Sequence, residues 1–335
     1  MPRHIGYAEA DFEEVRDLAG AAIGGDDRVS REDLDEYYRR LHGNRSGAIL
    51  HVVFQNAEYD FEECERILRT PGKEGLNALR KHLMLNTTCF DLREVKVQGI
   101  SDSEIKQLVA SVDYSEALSL IAGESEVRVA CRDARRYGFR AVAAFPQYLG
   151  ILVNELKGSH VRAQIPVGFP CGGVTTHVKC IEAEEGLRRG ANDLDMMMNL
   201  SAFKAGNYEK VADDIAAVLA VAEPFHVPFK VIIEVGALTD SEIMTASKLV
   251  VESGADFVKT CTGFGPGRAT VHAVRLIKEA VGDRIGIKAS GGVASLEDGI
   301  VLMRAGATIV ALRKQLVEQL DALGWQSSRI LENEL

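Results

Sequence analysis

Short apolar runs that alternate with amphipathic segments dominate the chain from about residue 107 onward. Between several of these runs the apolar positions change to helical spacing, as in Val211, Ile215, Val218 and Ala222. Eight strand-like runs at roughly even spacing, most followed by a helical segment, predict a (β/α)8 TIM barrel, and an open, doubly wound parallel sheet is the alternative. The runs are LVASVDY (108–114), FRAVAAF (139–145), VRAQIPVG (161–168), DLDMMMN (193–199), FKVIIEV (229–235), DFVKTCT (256–262), IGIKAS (285–290) and TIVALR (308–313).

Polar residues and glycines mark the expected ends of the helices. We expect Asp240 and Thr270 to act as N-caps, because their side chains accept hydrogen bonds from the first free backbone amides of a helix. Gly190, Gly254 and Gly306 are expected to follow the last turns of three helices.

The chain before the first run has a different pattern of apolar residues. Residues 1–105 show helical spacings, one apolar run, AILHVVF (48–54), and a TPGKEG break at 70–75. We therefore predict a mainly helical N-terminal extension over 1–105, the barrel over 106–325 and a C-terminal tail over 326–335. The extension is suited to cover a barrel end, join subunits or shape the barrel mouth, and the sequence does not choose among these roles.

The charge and the apolar content limit the classes of partner. A formal net charge of −10 argues against a nucleic-acid backbone or an anionic membrane as the main partner, so a small molecule is the expected ligand. No apolar run approaches the roughly 20 residues that span a bilayer. The segment MPRHIGYAEADFEEV carries acidic residues where a signal peptide is apolar, which favours a cytoplasmic location.

Two lysines lie inside strand-like apolar runs, Lys259 in FVKTCTGF and Lys288 in GIKASGG. Burial of an ammonium group is unfavourable, so either both side chains reach solvent as surface lysines or the chemistry requires them. Both lysines fall late in consecutive strand candidates. The carboxyl ends of barrel strands form the active site of this fold, so the two side chains are expected to meet there.

Two neighbouring lysines permit Schiff-base chemistry. Desolvation and a nearby cation lower the pKa of a lysine, which makes its amine a nucleophile at neutral pH. NDLDMMMNL provides a candidate proton shuttle in Asp195, whose structural alternative is a buried carboxylate paired with a backbone amide or a lysine; Asp193 is nearer the strand start and is expected to be solvated. Cys261 is two residues after Lys259 but has no paired histidine in sequence reach, so a reduced, buried thiol is the expectation.

At this point the residues match a known family. The segments GFPCGG, EAEEGLRRGANDLDMMMN, KVIIEVGALTD, GADFVKTCTGFGPGRAT, GIKASGGV and AGAT occur in order over about residues 107–311. In this arrangement the chain resembles the deoxyribose-phosphate aldolases, the class I aldolases of the DeoC type. The resemblance implies that Lys259 is the Schiff-base lysine, Lys288 lowers its pKa, Asp195 relays protons, and Asp113 and Lys230 support the site.

The resemblance also implies a reaction and a set of partners. The reaction is the reversible cleavage of 2-deoxy-D-ribose 5-phosphate to acetaldehyde and glyceraldehyde 3-phosphate, without a metal or other cofactor. A zinc-dependent aldolase is disfavoured independently, because the eight histidines show no clustered set at strand ends. The expected partners are a small sugar phosphate or aldehyde and further copies of the chain, most commonly in a dimer.

The sequence departs from the family where the phosphate of the substrate is held. Family members usually have a glycine followed by small hydroxyl residues after the last strand, whereas this chain has Ala311, Leu312, Arg313 and Lys314. Arg313 and Lys314 either bind an anion in a different way or begin a solvated helix, and both options stay open. The rest of the predicted cradle consists of Gly263, Gly291 and Gly292.

Two further functions are compatible with this departure. One is a related aldolase that acts on an unphosphorylated or carboxylated aldehyde acceptor. The other is a non-catalytic barrel that serves as a binding or assembly module. The intact set of Lys259, Lys288 and Asp195 counts against the second, because an idle barrel has no use for two buried lysines.

Overall fold

Eight parallel strands close into a barrel in the computed structural model, which describes residues 100–325. Each strand pairs with the next in chain order, and β8 pairs with β1, which confirms the predicted (β/α)8 TIM barrel and rules out the open sheet. The strands are β1 (Val112–Tyr114), β2 (Ala141–Ala143), β3 (Arg162–Val167), β4 (Asp193–Met197), β5 (Phe229–Ile232), β6 (Phe257–Lys259), β7 (Gly286–Ala289) and β8 (Ile309–Leu312).

Helices surround the barrel, and short 3-10 helices occupy three of the connections. Over the described residues, no helix combines the length and the apolar content needed to cross a membrane. The α-helices are α1 (Asp102–Ser111), α2 (Glu124–Tyr137), α3 (Leu149–Leu156), α4 (Thr176–Arg188), α5 (Leu200–Lys204), α6 (Tyr208–Ala222), α7 (Asp240–Glu252), α8 (Val271–Val281), α9 (Leu296–Ala305) and α10 (Lys314–Ala322). The 3-10 helices are Pro146–Tyr148, Glu223–Phe225 and Val235–Ala237.

The first predicted strand run, 108–114, is partly wrong, because helix α1 continues through Ser111 and leaves only Val112–Tyr114 for β1. Ser101 and Glu104 form a capping box that starts the helix, and Leu108 and Val109 lie on its buried face. The predicted boundary between residues 105 and 106 falls inside α1. Residues 1–99 of the extension, which include the AILHVVF run at 48–54, and the tail at 326–335 lie outside the described residues, so these parts of the domain division stay predictions.

The predicted helix ends are correct except at one position. Thr270 caps α8 by accepting a hydrogen bond from the Ala273 amide at 3.0 Å. Asp240 is not an N-cap: Thr239 caps α7, and Asp240 is its first residue. The reason is that Thr239 and Glu242 form a capping box one residue earlier than expected. Gly190, Gly254 and Gly306 have positive φ angles at the ends of α4, α7 and α9, as predicted.

Alternate residues of each strand have opposite environments. The outward side chains pack against the helices in one continuous apolar core, as Leu194 and Met196 do on β4. Several of the inward positions carry polar and charged groups, such as Asp195 on β4 and Lys230 on β5. This period-two pattern follows from strand geometry and brings the charged side chains of different strands into one interior.

The connections after β5 and β6 approach each other too closely to admit a side chain at Gly236. A Cβ atom at Gly236 would lie 1.9 Å from the Pro266 carbonyl oxygen and 2.7 Å from the Gly267 Cα. Both neighbours are backbone atoms, so an added Cβ would be accommodated only by movement of a whole loop rather than of a flexible side chain.

We predict that Gly236→Ala lowers the free energy of unfolding by about 1–3 kcal/mol, because overpacking forces the two loops apart. Gly150→Ala is the matched control, since Gly150 lies in α3 with no atom near its added Cβ. That change should be neutral or stabilising by up to about 1 kcal/mol. Denaturant titrations of both variants measure the difference, and equal stabilities would contradict the prediction.

Candidate active site

The inward-facing polar side chains form one buried cluster inside the barrel. β1, β3, β4, β5, β6 and β7 each contribute at least one residue, and an arginine immediately before β2 joins them. All of the predicted catalytic and supporting residues meet here. The cluster consists of Asp113, Arg140, Gln164, Asp193, Asp195, Lys230, Lys259 and Lys288.

Asp195 bridges the two lysines. Its Oδ2 atom lies 2.6 Å from Lys259 Nζ and 2.7 Å from Lys288 Nζ. Its other oxygen accepts a hydrogen bond from Gln164 Nε2 at 3.0 Å and lies 3.3 Å from Lys230 Nζ. Lys259 and Lys288 are register partners on β6 and β7, which explains why they reach the same carboxylate oxygen.

A second group of contacts supports this bridge. Asp113 Oδ2 lies 2.5 Å from Lys288 Nζ, and Gln164 Oε1 accepts a hydrogen bond from Lys288 at 3.1 Å. Arg140 forms ion pairs with both Asp113 and Asp193. The side chains of Asp113, Asp195 and Gln164 therefore contact the Lys288 ammonium group on three sides.

Asp193 is fully buried, so the prediction that it is solvated is wrong. It pairs with Lys230 and Arg140 and accepts a hydrogen bond from Gln164 Nε2 at 2.6 Å. Its side chain points inward because it shares the strand face of Asp195 two residues away. A position near the start of β4 therefore does not bring it to solvent.

The charges of the cluster balance if Lys259 is an uncharged amine. Three carboxylates then face three cations, Arg140, Lys230 and Lys288. Burial lowers the pKa of Lys259 to about 8; the Asp195 carboxylate opposes this shift, and the Lys288 ammonium adds to it. The nucleophile that Schiff-base chemistry requires is therefore accessible near neutral pH.

The partners of Lys259 keep their charges. Burial alone would lower the pKa of Lys288, but the carboxylates of Asp113 and Asp195 outweigh it, and the pKa is raised. Burial alone would likewise raise the pKa of Asp195, yet the ammonium groups of Lys259 and Lys288 hold it well below its usual range. Lys288 thus stays protonated at a pH where Lys259 loses its proton.

The three buried carboxylates do not form a ready metal site. Oxygens of Asp113, Asp193 and Asp195 lie within 4.8 Å of one another, which is a spacing that an ion can bridge. Each carboxylate, however, already faces a lysine or arginine. A cation in their midst would be repelled by these ammonium and guanidinium groups.

The predicted glycines line the neighbouring connections after β6 and β7. The Ala269 amide donates a hydrogen bond to the Gly291 carbonyl oxygen at 2.9 Å, which joins the two loops. Gly292 has a φ of 71°, and a Cβ there would lie 2.8 Å from the Cβ and Cδ atoms of Arg268. The side chain of Arg268 therefore lies directly against Gly292. Arg268 was not among the residues predicted from the sequence.

Arg313 and Lys314 lie apart from the buried cluster, at the start of α10. Both are exposed, and Lys314 Nζ lies 3.4 Å from Glu318 in the next turn. The backbone amide of Lys314 donates a hydrogen bond to Glu116 Oε2 at 3.1 Å. A carboxylate of the chain thus caps the helix that follows the last strand.

Sequence reasoning missed several residues that shape the site. Arg140 and Gln164 complete the ion-pair network, and both gave a signal, as polar residues inside the apolar runs FRAVAAF and VRAQIPVG. Glu234, which is buried after β5, accepts hydrogen bonds from the Thr262 amide and hydroxyl, and burial raises its pKa. Burial likewise raises the pKa of Cys261 well above its usual value, as expected of a buried thiol.

Comparison with known proteins places this site in a family. The model of the DeoC/LacD family aldolases matches residues 108–315, which include every strand of the barrel. The chain therefore belongs to the DeoC/LacD aldolases, which are carbon–carbon lyases.

Individual relatives cover the same part of the chain. The deoxyribose-phosphate aldolase of Carboxydothermus hydrogenoformans is 41% identical over 211 residues, which are 62% of this chain and 91% of the relative. A solved putative deoxyribose-phosphate aldolase from Coccidioides immitis is similar with a TM-score of 0.61 at 28% identity, over 80% of this chain and 99% of that one. The Aeropyrum pernix deoxyribose phosphate aldolase, described as a unique tetramer, has a TM-score of 0.59 at 28% identity, over 67% of this chain and 100% of that one.

We predict that Lys288→Met raises the pKa of Lys259, because the variant removes the adjacent cation and leaves Asp195 to stabilise the Lys259 ammonium. Below pH 8 the free-amine fraction falls about tenfold for each unit of upward shift. Reductive methylation of Lys259 by formaldehyde, followed over pH by peptide mass spectrometry, measures the shift.

Lys248→Met serves as a charge-matched control on the exposed face of α7. It removes one positive charge without touching the cluster and should leave the methylation profile of Lys259 unchanged. If both variants give the profile of the wild type, desolvation alone sets the pKa of Lys259.

Proposed function

We propose that the chain is a class I aldolase that cleaves 2-deoxy-D-ribose 5-phosphate to acetaldehyde and glyceraldehyde 3-phosphate through a Schiff base on Lys259. The observation that carries this proposal is the pair of buried lysines on one carboxylate oxygen, with only Lys259 having a lowered pKa. The relatives named deoxyribose-phosphate aldolase support the choice of substrate.

The proposed reaction gives each group of the cluster a role. The Lys259 amine attacks C1 of the open-chain sugar, and loss of water gives an iminium. Removal of the proton from the C3 hydroxyl breaks the C2–C3 bond, and the bonding electrons enter the iminium to give an enamine as glyceraldehyde 3-phosphate leaves. Protonation of the enamine at C2 and addition of water release acetaldehyde and the amine. Asp195, which accepts hydrogen bonds from both Lys259 and Lys288, is the group beside Lys259 that relays these protons.

The first test of this proposal is covalent trapping. Borohydride reduces an iminium irreversibly, so acetaldehyde and borohydride together should label the protein at Lys259. Lys259→Met should remove the label, whereas Lys248→Met, which deletes an exposed lysine outside the cluster, should keep it. Labelling that is absent from the wild type, or that persists in Lys259→Met, would contradict a Schiff base at this residue.

A second substrate class is favoured by one specific contact. In TIM barrels the connections after β7 and β8 and a helix N-terminus commonly hold the phosphate of a substrate. Here the first amide of α10 already donates to the Glu116 carboxylate, which would repel a second anion at that position. The alternative substrate is therefore an unphosphorylated aldehyde or sugar. If the substrate does carry a phosphate, the loops with Gly263, Gly291 and Gly292 are the alternative site for it.

We predict that Glu116→Gln increases the kcat/KM for deoxyribose 5-phosphate relative to that for deoxyribose by about tenfold, because it removes a negative charge and keeps an amide oxygen as the helix cap. Glu318→Gln is the control, since Glu318 has the same charge but pairs with the Lys314 side chain one turn further on. An unchanged ratio in Glu116→Gln, with strong phosphate preference in the wild type, would contradict an anion site at the first amide of α10.

Arg313 and Lys314 also stay candidates for anion binding. If they pair directly with the substrate, their double substitution by serine raises KM for the phosphorylated sugar and leaves KM for deoxyribose unchanged. If they only begin a solvated helix, both KM values stay at those of the wild type.

The assembly and the cellular location complete the proposal. We infer a homo-oligomer, with a dimer as the predicted state, although the Aeropyrum relative is named as a tetramer. The predicted location is the cytoplasm, where a small sugar phosphate would be the substrate.

A further inference from the structure

Three phenylalanine rings contact one another at the carboxyl ends of the strands. The Phe169 and Phe264 rings are 5.2 Å apart between centroids, and Phe145 lies 6.3 Å from Phe169 and 6.2 Å from Phe264. All three pairs are edge-to-face, which is a favourable geometry for aromatic side chains. We call this group the aromatic triad.

The triad joins opposite sides of the barrel mouth. Phe145 follows β2 and Phe169 follows β3, whereas Phe264 follows β6. In a closed barrel of eight strands β6 is opposite β2 and three strands from β3, so a ring from the β6 connection meets the other two only by crossing the mouth.

Local contacts hold Phe264 in this position. Its backbone amide donates to the Thr262 hydroxyl at 3.0 Å, and that hydroxyl donates in turn to the buried carboxylate of Glu234. Gly263, with a φ of 82°, provides the turn between Thr262 and Phe264. The loop that carries the ring is therefore anchored to the strand end next to it.

Lys259 is the last residue of β6, at the end of the barrel that the triad spans. An inward side chain at the open end of a barrel would normally meet water, yet the Lys259 side chain is only 3% exposed. Each ring of the triad is half-buried, with one part against the protein and one part towards solvent. The triad thus lies where a cover between Lys259 and bulk water is required.

We propose that Phe264, packed against Phe145 and Phe169, closes an aromatic cover across the barrel mouth that keeps water from the Lys259 amine and from its Schiff base. This inference rests on the function proposed for Lys259. A cover of this kind has two effects: it favours the uncharged amine, and it slows the addition of water to the iminium carbon, which would release the amine before the carbon–carbon bond changes. Phe264 is thus a positioning residue, which acts through the environment of Lys259.

Charged groups from every neighbouring element also face Lys259, and their effect must be separated from that of the cover. They remain in place when only the ring is changed, so variants of Phe264 report on solvent access. The groups are Asp113 on β1, Asp195 on β4, Lys230 on β5, Glu234 after β5 and Lys288 on β7.

The test is the pH dependence of acetaldehyde trapping by borohydride at Lys259 in Phe264→Ala. Because water then reaches the amine and raises its pKa, trapping at pH 7 should fall by up to about tenfold. The rates of variant and wild type should converge above about pH 10, where the amine is mostly uncharged in both. Phe264→Leu, which keeps apolar volume, should lie between them. Such a shift of the profile is not expected from a purely structural defect.

Phe225→Ala is the control, because Phe225 is 39% exposed and precedes β5 at the opposite end of the barrel. It should leave the profile unchanged. A Phe264→Ala profile that superimposes on that of the wild type, or that is reduced equally at all pH values, overturns the cover. Absence of trapping in the wild type would instead overturn the Schiff base itself, and the cover with it.

Discussion

The rest of the site depends on one interaction: the side-chain nitrogens of Lys259 and Lys288 both contact the Oδ2 atom of Asp195. Buried ion pairs repay their desolvation only when each charge has a close partner. Here Asp113, Asp193 and Asp195 satisfy three cations, and a fourth cation at Lys259 would exceed the negative charge of these three carboxylates. The barrel interior therefore holds Lys259 where its proton is easily lost and Lys288 where its proton is kept.

The barrel and the centre of this site follow from local sequence patterns. Strand residues alternate between two faces, so a lysine between apolar neighbours, as at Lys259 in FVK, must share its face with the inward residues of adjacent strands. The same rule applies to Asp193, whose burial the sequence analysis missed, because a position near a strand start was taken to imply solvent. The alternation of side chains along a strand predicts burial better than the distance from the strand start does, since Asp193 and Asp195 share one face.

Other features could not be predicted because they depend on contacts between distant parts of the chain. Arg140 reaches Asp193 only because β2 and β4 curve around one interior, and no local pattern marks that pairing. Likewise, Glu116 is 198 positions from the amide of Lys314 that it caps, and β1 and β8 bring them together by closing the barrel. The contact at α10 and the aromatic triad are therefore properties of the closed fold, in the connections where substrate specificity of TIM barrels arises.

The central claim is that Lys259 loses its proton near pH 8 while Lys288 stays protonated. Its most direct test is an NMR titration of protein with isotopically labelled lysine side chains, in which the Lys259 signal is assigned by its absence from Lys259→Met. The account predicts a titration midpoint near pH 8 for Lys259. It predicts that Lys288 stays protonated at every pH below the ordinary pKa of a lysine. A Lys259 side chain that remains protonated beyond pH 10 would contradict it.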